Sequence, residues 1–271
     1  GQIAALLNPA VNVRVLGFEA LEEQGEKVIE PVMALLTSPN PYHRARAIFV
    51  LAHLGAEGQF EVERLLKAVD TPVRITALRA LRSITPENSK SIPALTASQK
   101  ALLPLLGNLA NDPSPAVRRE VAIALRDVPY NDCRFMLLNL IKGYDGQDRY
   151  YLTALGQAAD GKEDALVADL RLSMGTDPLE WDQKTANLVW ELHPATLVPQ
   201  LKKRAESSKL TVDARKQAVV TLGFIKSQAA AKAMVDLTKS PEKDIADQAN
   251  YWVNFRRGYD WATLLNWEDV A

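Results

Sequence analysis

The feature that most constrains this fold is an internal repeat. Five segments of the chain align on a shared arginine that is followed by a run of apolar and small residues. These arginines are Arg14, Arg44, Arg74, Arg118 and Arg215, and the first three are 30 residues apart. Because a repeat of this period cannot bury its apolar face alone, the pattern predicts an array of stacked units.

The apolar residues of each copy have helical spacing. In the third copy they are Val73, Ala77, Ala80 and Ile84, at positions i, i+4, i+7 and i+11. This spacing places one apolar stripe on a helix. A second apolar segment precedes each arginine helix, as at 101–110. Each repeat is therefore predicted to be two antiparallel helices, with about eight such pairs in the chain.

The boundaries between these helices carry a recurring pair of residues, a polar residue followed by proline. The polar side chain can accept from the free amides of a helix start, and proline is tolerated at the first helical position. No convincing run of alternating strand residues is present, so the chain is predicted to be all-α. The six pairs are Asn8-Pro9, Asn40-Pro41, Thr71-Pro72, Ser114-Pro115, Asp177-Pro178 and Ser240-Pro241.

The segment DPSPAVRREVAIAL at 112–125 resembles the HEAT repeat, the two-helix unit of α-solenoids, and the resemblance extends over nearly the whole chain. It implies a right-handed α-α superhelix and one domain over 1–271. It also implies a ladder between neighbouring repeats, formed by an aspartate before the second helix and the arginine inside it. Asn8 and Ser38 replace the aspartate in two copies, so the ladder is expected to have gaps. The predicted ladder residues are Arg14, Arg44, Arg74, Asp112, Arg118 and Arg215.

Two segments interrupt the repeat. Residues 82–100 are polar and contain prolines, which predicts a surface loop inserted between the third and fourth copies. Thr96 and Gln99 are spaced as a capping box that would start the next helix, at 101–110. Residues 249–271 contain three tryptophans and two tyrosines. This final segment is predicted to cap the solenoid after a helix at 243–257, with Asp260 starting a short last helix.

Within that final segment, Trp252, Arg256 and Trp261 resemble the closing stretch of HEAT segments in large exported bacterial proteins. Those proteins join a dehydrogenase-like β-propeller to a c-type haem domain. The haem attachment motif C-x-x-C-H is absent here, so the resemblance implies no cofactor for this chain. It favours a section of a larger bacterial polypeptide and a periplasmic location, with a cytoplasmic location as the alternative.

Two interpretations of Trp261 and Trp267 are open from the sequence. In the first, Trp267 packs on Trp261 and closes the solenoid. In the second, the two rings form a docking face for a domain that follows in the intact protein, since exposed apolar patches usually mark contacts.

Charge and composition exclude several classes of function. The net charge of −1 over 271 residues lacks the basic excess of a nucleic-acid-binding domain. No apolar run approaches the ~20 residues that span a bilayer. Phosphate-binding loops, dinucleotide fingerprints, nucleophile elbows and paired-histidine metal motifs are all absent. The sequence therefore predicts no catalytic, cofactor-binding or metal-binding residues.

The arginines outside the ladder allow more than one function. Arg46, Arg79 and Arg82 lie on predicted helices that carry no acidic residue. They are expected on a solvated face, or on a surface that binds an acidic protein or, less favoured, nucleic acid. With Trp261 and Trp267 they make up the predicted interaction face.

The sequence thus predicts a non-catalytic scaffold that binds a partner protein or adjoining domains of the same polypeptide. The alternatives are a HEAT-like enzyme, of the DNA-alkylation repair glycosylase or bilin-lyase type, and a nucleic-acid-binding solenoid.

Overall fold

A computed structural model describes residues 1–85 and 95–270. Over these residues it contains sixteen α-helices, joined by turns and short 3-10 helices, and no β-strand. The all-α prediction is confirmed, and the helix number agrees with about eight pairs. The chain divides into two compact units, Gly1–Leu140 and Ile141–Ala271. The single domain predicted over 1–271 stays a prediction.

The first unit stacks its helices in pairs. The second helix of each repeat packs on the second helix of the next, so that α2 contacts α4, α4 contacts α6 and α6 contacts α8. The first helices of the repeats pack beside these second helices. Helix α5 contacts both α4 and α6, and α7 contacts α8. The helices are α1 (Gln2–Leu6), α2 (Val11–Glu22), α3 (Ile29–Met33), α4 (Pro41–His53), α5 (Gly55–Leu65), α6 (Thr71–Ser83), α7 (Ala97–Leu109), α8 (Pro115–Ala124) and α9 (Tyr130–Lys142), whose last two residues belong to the second unit.

The second unit repeats the same arrangement. Its second helices stack as α10 on α12, α12 on α14 and α14 on α16, while α13 packs on α14 and α15 on α16. The helices are α10 (Arg149–Ala159), α11 (Glu163–Leu170), α12 (Gln183–Leu192), α13 (Val198–Glu206), α14 (Val212–Phe224), α15 (Gln228–Leu237) and α16 (Lys243–Arg256).

The predicted apolar stripes face the core. In α6 Ala77 and Ala80 are fully buried, and in α8 so are Val117 and Val121. Small residues on the stripe allow neighbouring helices to approach closely. A Cβ at Gly17 of α2 would lie 2.5 Å from the Leu6 amide nitrogen at the end of α1, so a larger residue there would push the helices apart.

Several helices begin as the polar-proline pairs predict. Asn40 caps α4, where its Oδ1 accepts from the Tyr42 amide at 2.9 Å and Pro41 is the first helical residue. Ser114 and Pro115 likewise begin α8, although the serine side chain makes no capping hydrogen bond. At α6 the cap position is Asp70, one residue before the predicted Thr71.

The predicted insertion at 82–100 is shorter than expected at both ends. The third-copy helix continues to Ser83, and the following helix begins at Ala97 instead of 101. The predicted capping box is present: the Gln99 amide donates to Thr96 Oγ1 at 3.2 Å, and the Thr96 amide donates to Gln99 Oε1 at 2.8 Å. The helix therefore starts directly after Thr96, within the box. Residues 86–94 of the insertion lie outside the described residues.

The end of the chain corrects one prediction. The penultimate segment is helical as expected, with α16 ending at Arg256. The short helix predicted after Asp260 is instead a series of turns through residue 265. Asp260 does not cap a helix, because its carboxylate accepts from Arg256 Nη1 at 2.8 Å.

Candidate interaction surfaces

Four of the predicted ladder arginines share one geometry. In each, Nη1 donates to the main-chain carbonyls of the residues six and five positions earlier. These carbonyls lie in the turn before the arginine helix, where they lack helical partners, and a cation suits such positions. The pairs of accepting residues are Asn8 and Pro9 for Arg14, Ser38 and Pro39 for Arg44, Ala68 and Val69 for Arg74, and Asp112 and Pro113 for Arg118.

The carboxylate of Asp112 binds the arginine of the preceding repeat. Arg74 Nε and Nη2 each donate to this carboxylate at 2.9 Å, and the Ser114 amide donates to it at 2.8 Å. The side chains of Arg74 and Asp112 are only 10% and 7% exposed. Arg118, which the sequence paired with Asp112, contacts its main-chain carbonyl. The rung between repeats is therefore Arg74–Asp112.

The side chain of Arg79, predicted for the interaction face, is 56% exposed but is paired with a carboxylate of the following repeat. Its Nε and Nη2 donate to both carboxylate oxygens of Glu120, at 2.9 and 2.5 Å, and this bond raises the pKa of Arg79. Glu120 is buried. The sequence missed this partner because Glu120 lies on α8, 41 residues away and beyond the insertion. Arg82, the third arginine of α6, lines a small cavity with Gln99 and Arg126.

The arginines of the second unit have different partners. Arg215 is buried, and its Nε donates to the Ala205 carbonyl at 2.9 Å, with Glu242 3.7 Å away. Arg204 is also buried; it donates to the Pro178 carbonyl, and its guanidinium lies 5.3 Å from the centre of the Trp181 ring. Burial lowers the pKa of Arg204. These charges are held by carbonyls and rings more than by carboxylates.

The proposed tryptophan docking face is wrong for one of its two rings. Trp261 is 1% exposed, and its Nε1 donates to the Ile225 carbonyl at 3.1 Å. Trp267 is half-buried, and its Nε1 donates to the Trp261 carbonyl at 3.0 Å. Because Trp261 is buried, its ring is not available as a docking surface. The hydrogen bond from Trp267 to the Trp261 carbonyl favours the interpretation in which Trp267 packs back on the chain.

Exposed aromatic residues occur instead on α16 and in the turn that follows it. Tyr251, Phe255 and Tyr259 follow one another at intervals of four residues, and each is largely exposed. Beneath them, the guanidinium of Arg256 lies 5.3–5.4 Å from the ring centres of Phe224, Trp252 and Phe255.

His193 borders this same aromatic group. Its ring centre is 4.9 Å from that of Phe224, and its Nε2 is buried without a hydrogen-bond partner. Burial, aided by the charge of Arg256, lowers the pKa of His193 to about 4. The histidine is therefore neutral at physiological pH.

A larger apolar surface lies between α2 and α4, and we call it the N-terminal groove. Its volume is about 590 Å³. Val11 is 64% exposed, Val15 49% and Tyr42 71%, although all three are hydrophobic or aromatic. The apolar lining residues are Leu6, Val11, Val15, Phe18, Tyr42, Ala45 and Phe49, with Arg14, Glu19, Glu22 and Arg46 among them.

The charges of the N-terminal groove nearly balance. Arg46, the one residue of the predicted interaction face that lines it, donates from Nη1 to the Leu6 carbonyl at 3.3 Å. Glu22 Oε1 lies 3.1 Å from His53 Nδ1. The groove therefore suits an apolar ligand better than a highly charged one.

The sequence contained a signal for this groove that the repeat alignment obscured. Helix α2 carries its buried face at Gly17 and Leu21, as the repeat requires. Val11, Val15 and Phe18 form a second apolar stripe at i, i+4 and i+7 on another side of the same helix. A helix with two apolar stripes has more apolar surface than one packing partner covers.

The described residues, 1–85 and 95–270, contain no group of three or more His, Cys, Asp or Glu side chains that could hold a metal ion. In the same residues, none of the helices combines the length and the hydropathy needed to cross a bilayer.

Comparison with known proteins identifies the repeat. Residues 29–101 match the family model of HEAT repeats, so this part of the chain consists of HEAT repeats as the resemblance predicted. A crystal structure of an engineered protein is 20% identical, covering 83% of this chain and 95% of its own, with a TM-score of 0.36. Human deoxyhypusine hydroxylase in complex with glycerol is 15% identical, covering 95% of both chains, with a TM-score of 0.35. No curated protein matches the chain.

Proposed function

We propose that this chain is a non-catalytic scaffold that binds a segment of a partner protein in the N-terminal groove. The observation that carries the proposal is the exposure of apolar and aromatic side chains on both walls of one concave surface. Apolar patches of this kind mark contact sites in soluble proteins. HEAT repeats, which include the α4 wall of the groove, form extended surfaces suited to such partners.

The groove also indicates the chemistry of the partner. Its walls are two neighbouring helices, and its polar rim carries two arginines and two glutamates. A segment that places a few apolar side chains between the helices would bury them without leaving a charge unpaired. We therefore propose a partner segment with apolar anchors and little net charge, supplied by another protein or by an adjoining domain of the same polypeptide.

The nucleic-acid alternative has less support from the geometry. Phosphate binding needs arginine or lysine side chains that are free to reach a backbone. Arg74 and Arg79 are held by carboxylates, while Arg14 and Arg44 are held by main-chain carbonyls.

The proposal is tested with a library of displayed peptides selected for binding to the folded chain. We expect enriched peptides to share apolar residues at regular spacing. Val15→Asp should weaken their binding about tenfold or more, because it places a carboxylate in the apolar wall. Leu16→Asp is the matched control, since Leu16 is 64% exposed on the same helix but does not line the groove.

Both variants are first compared in thermal unfolding, because only a change in binding without a change in folding is informative. Equal loss of binding in Val15→Asp and Leu16→Asp would contradict the groove as the site. Enrichment of strongly acidic peptides without apolar anchors would contradict the proposed partner chemistry.

A further inference from the structure

The second unit contains a cavity that the scaffold function does not use. It lies between α11, the loop that joins α11 to α12, and the beginning of α13. Its volume is about 440 Å³, within the range of small-molecule sites. The lining is mostly apolar, with Val167, Leu172, Met174, Pro178 and Leu197 among its residues.

Two polar atoms of the lining residues are buried without a partner. Trp181 Nε1, a hydrogen-bond donor, and Gln200 Oε1, an acceptor, are both shielded from solvent, and neither forms a hydrogen bond within the chain. Buried polar groups in folded proteins are nearly always paired. Both atoms belong to residues that line this one cavity, so a ligand that supplies the complementary donor and acceptor would satisfy them.

The position of the Trp181 ring is fixed from one side. The guanidinium of Arg204 lies 5.3 Å from the ring centre and donates to the Pro178 carbonyl. Because Arg204 is itself buried, the ring has little freedom to rotate. The Nε1 hydrogen is thus held in place before any ligand arrives, which lowers the entropy cost of binding.

The charges at the cavity favour a neutral ligand. Asp164 is its acidic residue, and its Oδ1 already accepts from both the amide and the hydroxyl of Thr196 at 2.9 Å. Arg171 is its basic residue and is exposed to solvent. A charged ligand would lose hydration without gaining a buried ionic partner.

We propose that this cavity binds a small, neutral, largely apolar molecule that carries an amide-type group. The carbonyl oxygen of such a group accepts from Trp181 Nε1, and its N–H donates to Gln200 Oε1. The apolar body of the ligand packs against the aliphatic lining. This site is separate from the N-terminal groove, and its function does not depend on peptide binding there.

The test uses three probes of similar size and follows binding by calorimetry and by the tryptophan indole signals in NMR spectra. Benzamide carries the proposed group, ethylbenzene lacks polar atoms, and benzoate carries a charge. We expect saturable binding of benzamide that is about tenfold tighter than that of either other probe. The indole N–H signal of Trp181, assigned from the Trp181→Phe spectrum, should shift on binding.

Two variants and two matched controls locate the site. Trp181→Phe removes the indole N–H together with part of the ring, and Gln200→Met replaces the whole amide with an apolar chain of similar length. Each should weaken benzamide binding about tenfold. Trp190→Phe removes a half-buried tryptophan that does not line the cavity. Gln248→Met removes another buried, unpartnered glutamine oxygen that lies on α16. Both controls should leave binding unchanged.

Each remaining outcome would overturn the proposal. Equal binding of ethylbenzene would show a purely apolar cavity, and preference for benzoate would show an anion site. Failure of all three probes to bind would show that the cavity holds only water. Equal losses in the control variants would place benzamide elsewhere on the chain.

Discussion

The two compact units share one helical architecture but hold several of their arginines in different ways. In the first unit, Arg74 and Arg79 of α6 are each bound by two oxygens of a carboxylate from the following repeat. In the second unit, Arg204 lies against the Trp181 ring. Arg256 lies against three rings while also pairing with the Asp260 carboxylate. Carboxylates of the following repeat thus hold these arginines in the first unit, whereas aromatic rings contribute to holding them in the second.

The difference follows from what neighbours each arginine. Asp112 and Glu120 lie on the far side of the insertion, where the chain connection between repeats is longest. Bidentate pairs there join the two repeats at defined points. In the second unit, large rings such as those of Trp181 and Trp252 lie beside the arginine guanidinium groups. A guanidinium stacks on such rings, although the loss of hydration is then less fully compensated.

The largest expected loss of stability is at the Arg74–Asp112 ion pair of the first unit. Asp112→Ala leaves the buried guanidinium of Arg74 without its carboxylate and the Ser114 amide without its acceptor. We expect a loss of about 3–5 kcal/mol in the free energy of unfolding, measured by urea denaturation. A loss below about 1 kcal/mol would show that the pair does not hold the repeats together.

Two further variants separate charge from shape at this pair. Asp112→Asn keeps an acceptor for Ser114 but removes the charge, so its stability should fall between wild type and Asp112→Ala. The double variant Arg74→Met with Asp112→Leu removes both charges, and it should recover much of the loss because no buried ion remains unpaired. Additive losses in the double variant would contradict this account.

A smaller effect is expected at the stacked arginine of the second unit. Arg204→Met removes the contact with the Trp181 ring and the hydrogen bond to Pro178 but also removes a buried charge. We expect a net loss of about 1–2 kcal/mol. Arg204→Lys should give no better stability, because an ammonium does not stack as a planar guanidinium does. A loss as large as that in Asp112→Ala would remove the distinction between the units.

The effect that is smallest at neutral pH concerns His193, and it grows as the pH falls. Its pKa is lowered to about 4 in the folded chain from an ordinary value of 6.5. Between these values the unfolded chain binds a proton that the folded chain does not, so the histidine reduces stability as the pH falls from about 6.5 towards 4. Above pH 6.5 it has no such effect.

His193→Asn removes this dependence and suits the left-handed backbone of the residue, whose φ is 47°. The slope of unfolding free energy against pH should decrease in the variant by at most about 1.4 kcal/mol per pH unit, the limit for one proton. Thermal unfolding of both proteins from pH 7 to pH 4.5 measures it. Identical slopes would show that the His193 ring is solvated in the folded chain.

The prediction of the fold from sequence succeeded where local patterns determine structure. Helical spacing of Val117 and Val121, the Asn40-Pro41 start and the Thr96–Gln99 capping box depend on residues a few positions apart. The short helix after Asp260 was wrong because Arg256, one turn earlier, binds that carboxylate. A local pattern permits both arrangements, and the rest of the chain selects one.

The sequence alone thus determined an all-α chain of paired helices, the arginine register and the HEAT resemblance, because these follow from periodicity along the chain. Only the tertiary structure decided which carboxylate binds Arg74, that Glu120 neutralises Arg79, and that Trp261 is buried. It also revealed the N-terminal groove and the cavity that Trp181 and Gln200 both line. Each of these depends on groups from different helices, and the distance between such groups is set by how the helices pack.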